Sequence, residues 1–227
     1  MIVCYNEKIM NRTKLIKIAV LCVVSAIGNV LGSYIHTVTG IPLYIDTIFN
    51  AAMCFSAGLA AGIITGTLLF PVMEFLLNII LRGPELGFLG NIWVICIIVE
   101  ILLVWFVYKN MKEREAVFLS NKNLYTFIGV ASMLLVLAVL DCVVISITGG
   151  IIDYSLSAYS MPRTFSPEDN LKLGLLRNNM PLLATAILSR IPINIVDRFI
   201  VVFGGYGISL LYRKWINNNT KTSHKDH

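Results

Sequence analysis

Charged side chains are scarce in this chain of 227 residues: 14% are Asp, Glu, Lys or Arg, and 57% are hydrophobic. Soluble domains carry about 25% charged residues, so the shortage excludes a large soluble domain and predicts a polytopic membrane protein. No basic run is interleaved with aromatic residues. The net charge of +5 therefore does not indicate nucleic-acid binding, because membrane proteins collect Lys and Arg in their cytoplasmic loops.

Motifs for catalysis and metal binding are also missing. The sequence contains no HExxH, GxSxG or P-loop pattern and no readable Ser/His/Asp set. Its five cysteines form no CxxC pair, and its three histidines are too scattered for a metal site. We therefore expect no enzymatic activity, no cofactor and no bound metal. Uphill transport would have to draw its energy from a partner or from an ion gradient.

What the chain does have is apolar segments close to the length of about 20 residues that crosses a bilayer. Their predicted limits are 15–38, 46–64, 66–80, 91–108, 124–148 and 180–212. The last one contains Pro192, which predicts one kinked helix or two half-helices. We expect an all-α protein with a six-helix membrane domain at 15–212, flanked by terminal segments at 1–14 and 213–227.

The distribution of basic residues orients these six spans. Of the 18 Lys and Arg residues, twelve fall in the N-terminal part up to Lys17, the loop after the fourth span and the C-terminal tail. Four fall in the opposite loops, and Arg190 and Arg198 lie within the last apolar region. The positive-inside rule then places both termini in the cytoplasm. The external segments are 39–45, 81–90 and 149–179, and a helix is expected to start at Ser166-Pro-Glu-Asp in the third.

Polar residues inside the spans mark the candidate site, because charged groups in hydrocarbon cost roughly 2.5–3.5 kcal/mol each on insertion scales. Arg190, Asn194 and Asp197 recur at helical spacing and predict one polar face directed into the bundle. Adjacent helical residues point about 100° apart, so Arg198 is expected to turn away towards a structural partner.

Most of the polar residues are predicted to lie in the outer half of the bundle, as in a pocket that opens outwards. Apolar walls with a few convergent polar groups are typical of small-molecule sites, and Tyr44 and Trp93 are placed to stack on a planar ligand. Structural alternatives stay open: Asp46 as a helix cap, and Glu74 and Asp141 as ion-pair partners of Arg190. The predicted substrate-binding residues are Tyr44, Asp46, Asn50, Glu74, Asn78, Trp93, Asp141, Arg190, Asn194 and Asp197.

Small residues form a second pattern. Gly58, Gly62 and Gly66 repeat every four residues, and Gly28 and Gly32 do so in the first span. Such spacing lets helices approach closely, either within the chain or against another membrane subunit.

Two stretches resemble the substrate-binding (S) components of energy-coupling-factor transporters. The first is Ile41-Pro-Leu-Tyr-Ile-Asp46-Thr-Ile-Phe-Asn-Ala-Ala, followed by the glycine repeat that begins at Gly58. The second is Asn194-Ile-Val-Asp197-Arg198, followed by an apolar run and Tyr212-Arg-Lys. In the family the proline often stands directly before the aspartate and a lysine follows it. Here the proline comes earlier, at Pro192, and Arg198 takes the place of the lysine.

The resemblance implies a membrane protein that captures a vitamin-like small molecule from outside, under a lid of external loops. It implies association with a transmembrane coupling subunit and cytoplasmic ATPase subunits, and a toppling motion that releases the substrate. Family members dock through small residues of the first helix, and the nearest matches here are Cys22 with Ala26 and Gly28 with Gly32.

Two other functions are compatible with the sequence. An ion-coupled carrier or channel would use the buried carboxylates as proton or cation sites. Such carriers commonly contain two internal repeats, and none is visible here. A membrane sensor or scaffold domain is the third possibility.

Overall fold

A computed structural model describes residues 12–39, 45–82, 92–121, 123–157 and 167–218. Within these ranges the chain is helical and contains no strand, as the composition predicts. The helices are α1 (Arg12–Thr39), α2 (Ile48–Ala57), α3 (Leu59–Ile63), α4 (Phe70–Arg82), α5 (Val94–Asn121), α6 (Leu124–Ser157), α7 (Pro167–Arg177), α8 (Leu182–Leu188), α9 (Ile191–Phe199) and α10 (Gly205–Asn217).

Four of the described helical stretches are long and apolar enough to cross a membrane: α1, the continuous helix that starts at Leu59, α5 and α6. Their outward faces carry large apolar side chains such as Leu31, Phe106 and Val136, each more than half exposed. Exposed apolar surface on this scale is unusual for a protein in water. Lipid contact would account for it, and the four helices are compatible by length and composition with a membrane-embedded protein.

The second predicted span ends earlier than expected. A break at Gly58 separates α2 from α3, whereas hydropathy predicts the boundary at residues 64–66. Gly58 has φ 95° and ψ −177°, a backbone region that only glycine occupies readily. It therefore forms the turn. From Leu59 the helix continues through a π-helical segment, Ile64–Leu69, into α4.

The last apolar region consists of two helical pieces rather than one kinked helix. The short α8 ends at Leu188, and a turn at Ser189 and Arg190 leads into α9. Pro192 is the second residue of α9, where a missing N–H costs little because the first turn of a helix has no acceptor for it. From α9 the chain runs through a second π-helical segment, Ile200–Gly204, into α10.

The expected helix in the third external segment is present as α7, although Ser166 itself lies outside the described residues. It ends at Arg177, and Asn179, two residues further along, has φ 59°. The N–H groups of Asn179 and Met180 donate to the carbonyls of Leu176 and Leu175, which closes the helix with a Schellman-type cap.

Helix α2 lies in the middle of the bundle. Residues Asn50 to Phe55 are all fully buried, and α2 packs against α1, α5 and α10. The ring of Phe55 makes edge-to-face contacts with Tyr108 on α5 and Tyr206 on α10, at centroid distances of 5.1 and 5.7 Å. At 10 residues, α2 is about 15 Å long, so it crosses only part of a hydrocarbon core of about 30 Å.

The contacts also fix helix directions. Glu100 on α5 contacts Arg198, and Glu115 on α5 contacts Arg213, so α5 runs parallel to the α9–α10 stretch. Lys17 at the start of α1 donates to the carbonyls of Trp215 and Ile216 at the end of α10. The beginning of α1 and the end of α10 therefore lie side by side.

Candidate functional site

Arg198 is the centre of a buried polar cluster. Its side chain is 3% exposed and donates to Glu100 on α5 at 2.5 Å and to Asp197 on its own helix at 2.8 Å. Asp141 on α6 lies 3.7 Å away, and the Thr47 hydroxyl accepts a weaker hydrogen bond at 3.4 Å. Groups from α5, α6, α9 and the turn before α2 thus meet around one guanidinium, and we call Glu100, Asp141, Asp197 and Arg198 the Arg198 cluster.

Carboxylates are in excess in this cluster. Three carboxylates face one guanidinium, which leaves a formal charge of −2 when all four groups are ionised. Desolvating a charge costs several kcal/mol unless it is paired and hydrogen-bonded. Among the described residues, Asp141 receives no hydrogen bond on either carboxylate oxygen, and Glu100 and Asp197 each have one oxygen without a donor. The cluster is thus charge-rich and incompletely satisfied.

An asparagine pair holds α2 beside this cluster. Asn29 on α1 donates to the side-chain oxygen of Asn50 at 2.7 Å, and its own oxygen accepts from the backbone N–H of Phe49 at 3.2 Å. Both asparagines are fully buried. Since Thr47 lies one turn before Asn50, the pair fixes the position of the turn that reaches Arg198.

Two further carboxylates lie at the edge of the cluster. Asp46 is close enough to Arg198, Asp197, Glu74 and Glu100 to interact with them electrostatically. Glu74 on α4 accepts a hydrogen bond from Ser33 on α1 at 2.9 Å. The local excess of negative charge therefore extends beyond the Arg198 cluster itself.

Arg190 lies towards the other end of α9 and does not enter the cluster. Its guanidinium stacks on the ring of Trp93, 4.8 Å from the centroid. Trp93 precedes Glu100 by seven residues and Arg190 precedes Arg198 by eight, so this contact lies roughly 10–12 Å along the helix axes from the cluster. Asn194, between the two arginines, donates to Ser146 on α6 at 2.9 Å.

Of the ten predicted site residues, Asp141 and Asp197 belong to the cluster, and Asp46, Asn50 and Glu74 lie beside it. One expectation is corrected. Arg198, however, was expected to point elsewhere and is its centre.

The structure does not show the open alternative in which Asp141 and Glu74 pair with Arg190. The carboxylate of Asp141 lies beside Arg198, at 3.7 Å, and Glu74 accepts a hydrogen bond from Ser33. Tyr44 and the side chain of Asn78 lie outside what the structure describes.

The position of Arg198, which differs from the expected one, has a simple geometric cause. The angle of 100° between adjacent residues describes where their Cβ atoms start. An arginine side chain is long enough to bend its guanidinium back to the carboxylate of the preceding residue, as Arg198 does with Asp197. Three other acceptors near the guanidinium, on Thr47, Glu100 and Asp141, also favour this bent conformation of the Arg198 side chain.

The small residues predicted to dock a partner are packed inside the chain. Cys22 and Ala26 are buried. A Cβ atom on Gly28 would lie 2.6 Å from the ring of Phe49, and one on Gly32 would lie 3.4 Å from the Cα of Asp46. Close packing between α1 and the α2 segment accounts for their size, and their use by a partner stays a prediction.

Sequence reasoning missed a second polar cluster, centred on Glu115. Glu115 is 4% exposed; it accepts from Tyr108 and Tyr206 at 2.8 Å and from Arg213 at 2.6 Å. The charged residues of 109–122 predict a cytoplasmic loop, in which a buried cluster is not expected. In the structure, α5 continues to Asn121. The seven-residue spacing of Tyr108 and Glu115, two helical turns, was the available signal.

No group of three or more His, Cys, Asp or Glu residues in the described ranges has the arrangement of a metal site. No protein-family model matches this chain, and neither the curated proteins nor the solved structures contain a significant match to it. The geometry of the two polar clusters is therefore the basis for any functional assignment.

Proposed function

We propose that this chain is the membrane-embedded substrate-capture subunit of an ATP-driven uptake transporter for a vitamin-like small molecule. The observation that carries the proposal is the Arg198 cluster, in which side chains from three helices converge inside an apolar bundle. Intramembrane ionisable groups mark binding sites and pathways by default. Pure structural pairing does not require three carboxylates for one guanidinium.

The helix directions support six crossings with both termini in the cytoplasm. The parallel course of α5 and α9–α10 requires an odd number of crossings between them, which α6 supplies, and the adjacent ends of α1 and α10 place both on one membrane side. Basic residues concentrate on that side, which the positive-inside rule makes cytoplasmic. In this topology α2 and the α8–α10 stretch are the two spans that length alone does not identify.

This topology puts the Arg198 cluster nearer the outer surface than the Glu115 cluster. Glu100 and Glu115 are 15 residues apart on one helix, or about 22 Å along its axis. The Trp93–Arg190 contact then lies above the Arg198 cluster, on its outer side. A cation–π contact is worth about 0.5–2 kcal/mol, which is weak enough for an entering ligand to displace.

Co-purification tests the partner part of the proposal. The full chain, carrying an affinity tag, is expected to retain a transmembrane subunit and ATPase subunits when it is isolated from its native membrane in mild detergent. Recovery of the chain without any ATPase, under conditions that preserve other membrane complexes, would contradict this function.

Substitution of Arg190 tests the binding part. Arg190→Ala is expected to abolish ligand binding while the protein still inserts, because the proposed topology places the contact between Arg190 and Trp93 on the outer side of the Arg198 cluster, from which a ligand would arrive. Arg177→Ala, an exposed position on α7, is the matched control and should bind normally. Ligand affinity in purified Arg190→Ala equal to that of the unchanged protein would remove Arg190 from the site.

The excess of buried carboxylates favours one second candidate, an ion-coupled carrier that works alone. In that case purified protein in liposomes would accumulate its substrate without ATP, and an uncoupler would abolish accumulation. A substrate-capture subunit alone would bind substrate and show no uncoupler-sensitive accumulation.

A further inference from the structure

The charge balance of the Arg198 cluster indicates what kind of ligand fits it. Glu100, Asp141 and Asp197 lie within ion-pair distance of one guanidinium, and the carboxyl group of Asp46 lies near them. The guanidinium of Arg190 is engaged with Trp93 at 4.8 Å. Adding an anion would increase the net negative charge in a low-dielectric site, which is costly, whereas adding a cation would reduce it.

Unsatisfied acceptors provide a second, independent indication. Asp141 is 0% exposed, and neither of its oxygens receives a hydrogen bond within the described part of the chain. One oxygen of Glu100 and one of Asp197 are in the same state. Ionised carboxylates accept up to about four hydrogen bonds each, and buried polar groups in native proteins are normally paired. Four carboxylate oxygens in this cluster therefore receive no hydrogen bond from the described residues.

The arrangement suits an extended donor better than a compact metal ion. The guanidinium of Arg198 separates the three carboxylates, and these residues do not form a set that could hold a metal. A protonated amine or an amidinium presents several N–H donors that spread in different directions. Such a group can reach oxygens on more than one carboxylate while Arg198 stays in place.

We infer that the ligand carries a cationic, hydrogen-bond-donating group, an ammonium or amidinium, and that Asp141 is its principal acceptor. This inference rests on the proposed capture function and adds the chemical class of the substrate. Asp141 is assigned because neither of its oxygens receives a hydrogen bond from the described residues and its contact with Arg198 is the longest of the three, at 3.7 Å, whereas Glu100 and Asp197 each use one oxygen to hold Arg198.

Three probes of matched size and different charge test the inference on the full chain in lipid nanodiscs. They are benzamidine, which is cationic at neutral pH, neutral benzyl alcohol and anionic benzoate, each at millimolar concentration. A ligand that binds only the folded protein raises its Tm. Benzamidine is expected to raise Tm by several degrees, and the other two probes are expected to leave it unchanged.

Substitutions test whether the rise in Tm with benzamidine depends on Asp141. In Asp141→Asn, which keeps the size of the side chain, the response to benzamidine is expected to disappear. The matched control is Asp153→Asn, which removes a carboxylate from the same helix in a partly exposed pair with Lys172 and should keep the response. The inference is overturned if benzoate or benzyl alcohol stabilises as well as benzamidine, if no probe raises Tm, or if Asp141→Asn responds like the unchanged protein.

These outcomes are separable from those for the proposed function. A chain that co-purifies with ATPase subunits but ignores benzamidine would keep the capture function and lose the cationic substrate. A chain that binds benzamidine through Asp141 but transports alone under an ion gradient would keep the cationic substrate and lose the ATP-driven assembly.

Discussion

The residues of the Arg198 cluster differ in what they contribute, although all four are charged and buried. Arg198 compensates three carboxylates, so its loss leaves them without a counter-charge. Asp141 receives no hydrogen bond from the described residues and lies farthest from the guanidinium, at 3.7 Å, so its charge is the least compensated of the three. Removing these two charges should therefore change stability in opposite directions.

Arg198→Gln is expected to lower the free energy of unfolding by about 3–5 kcal/mol, the usual cost of breaking a buried ion pair by removing one partner. Asp141→Asn is expected to leave stability unchanged or to raise it, because it removes one negative charge from a cluster with a formal charge of −2. Thermal unfolding of both ligand-free variants in nanodiscs measures the difference. A larger loss for Asp141→Asn than for Arg198→Gln would show that the charge balance is wrong.

The polar residues themselves were identifiable from sequence, because charged side chains in apolar spans stand out. Asp46, Asp141 and Asp197 are identified in this way. Their partners were not, since pairing depends on which helices become neighbours and on how far a long side chain bends. Arg198 shows this directly: its place in the sequence suggested a separate direction, and its flexible side chain joined it to Asp197.

Among the helices, the two pieces around Gly58 show how one residue sets an element boundary. Hydropathy alone predicts that the second span continues to residue 64, because the residues on both sides of Gly58 are apolar. The φ value of 95° is the physical cause of the break, and an apolar average cannot reveal it. The glycine repeat was noticed, but its first member is a turn, while Gly62 and Gly66 pack against Ile101 and Ile97.

Gly58→Ala is expected to destabilise the protein by about 1–3 kcal/mol, since its backbone conformation is almost restricted to glycine. Space is not the reason, because a Cβ atom at Gly58 would meet nothing within 4 Å. Gly129→Ala, at a helical position on α6 that is equally open, is the control and should be neutral or stabilising by up to about 1 kcal/mol. Equal unfolding temperatures for the two variants would contradict the turn assignment.

At the level of the whole molecule, two matched ion pairs connect α5 with the last helical stretch. Glu100 and Glu115 are 15 residues apart, and so are their partners Arg198 and Arg213. Two parallel helices that keep the same spacing bring both pairs into register. The charged residues and the spans can be predicted from the sequence. The register between the helices cannot, because it depends on α5 and α9–α10 lying side by side.

The six-crossing topology predicts which side of the membrane each exposed position faces. Gly174→Cys on α7 is expected to react with a membrane-impermeant maleimide in intact cells. Ser120→Cys near the end of α5 is expected to react only after permeabilisation. Labelling of the unchanged chain supplies the background. Labelling of Ser120→Cys in intact cells, or protection of Gly174→Cys, would reverse the proposed orientation.

The most direct test of substrate capture at the Arg198 cluster is mass spectrometry of small molecules released from the purified full chain, compared between the unchanged protein and Asp141→Asn. We predict one small molecule in near-stoichiometric amount in the unchanged protein, carrying an ammonium or amidinium group, and its loss in Asp141→Asn while Asp153→Asn retains it. The same molecule in equal amount in all three proteins would contradict capture at the cluster.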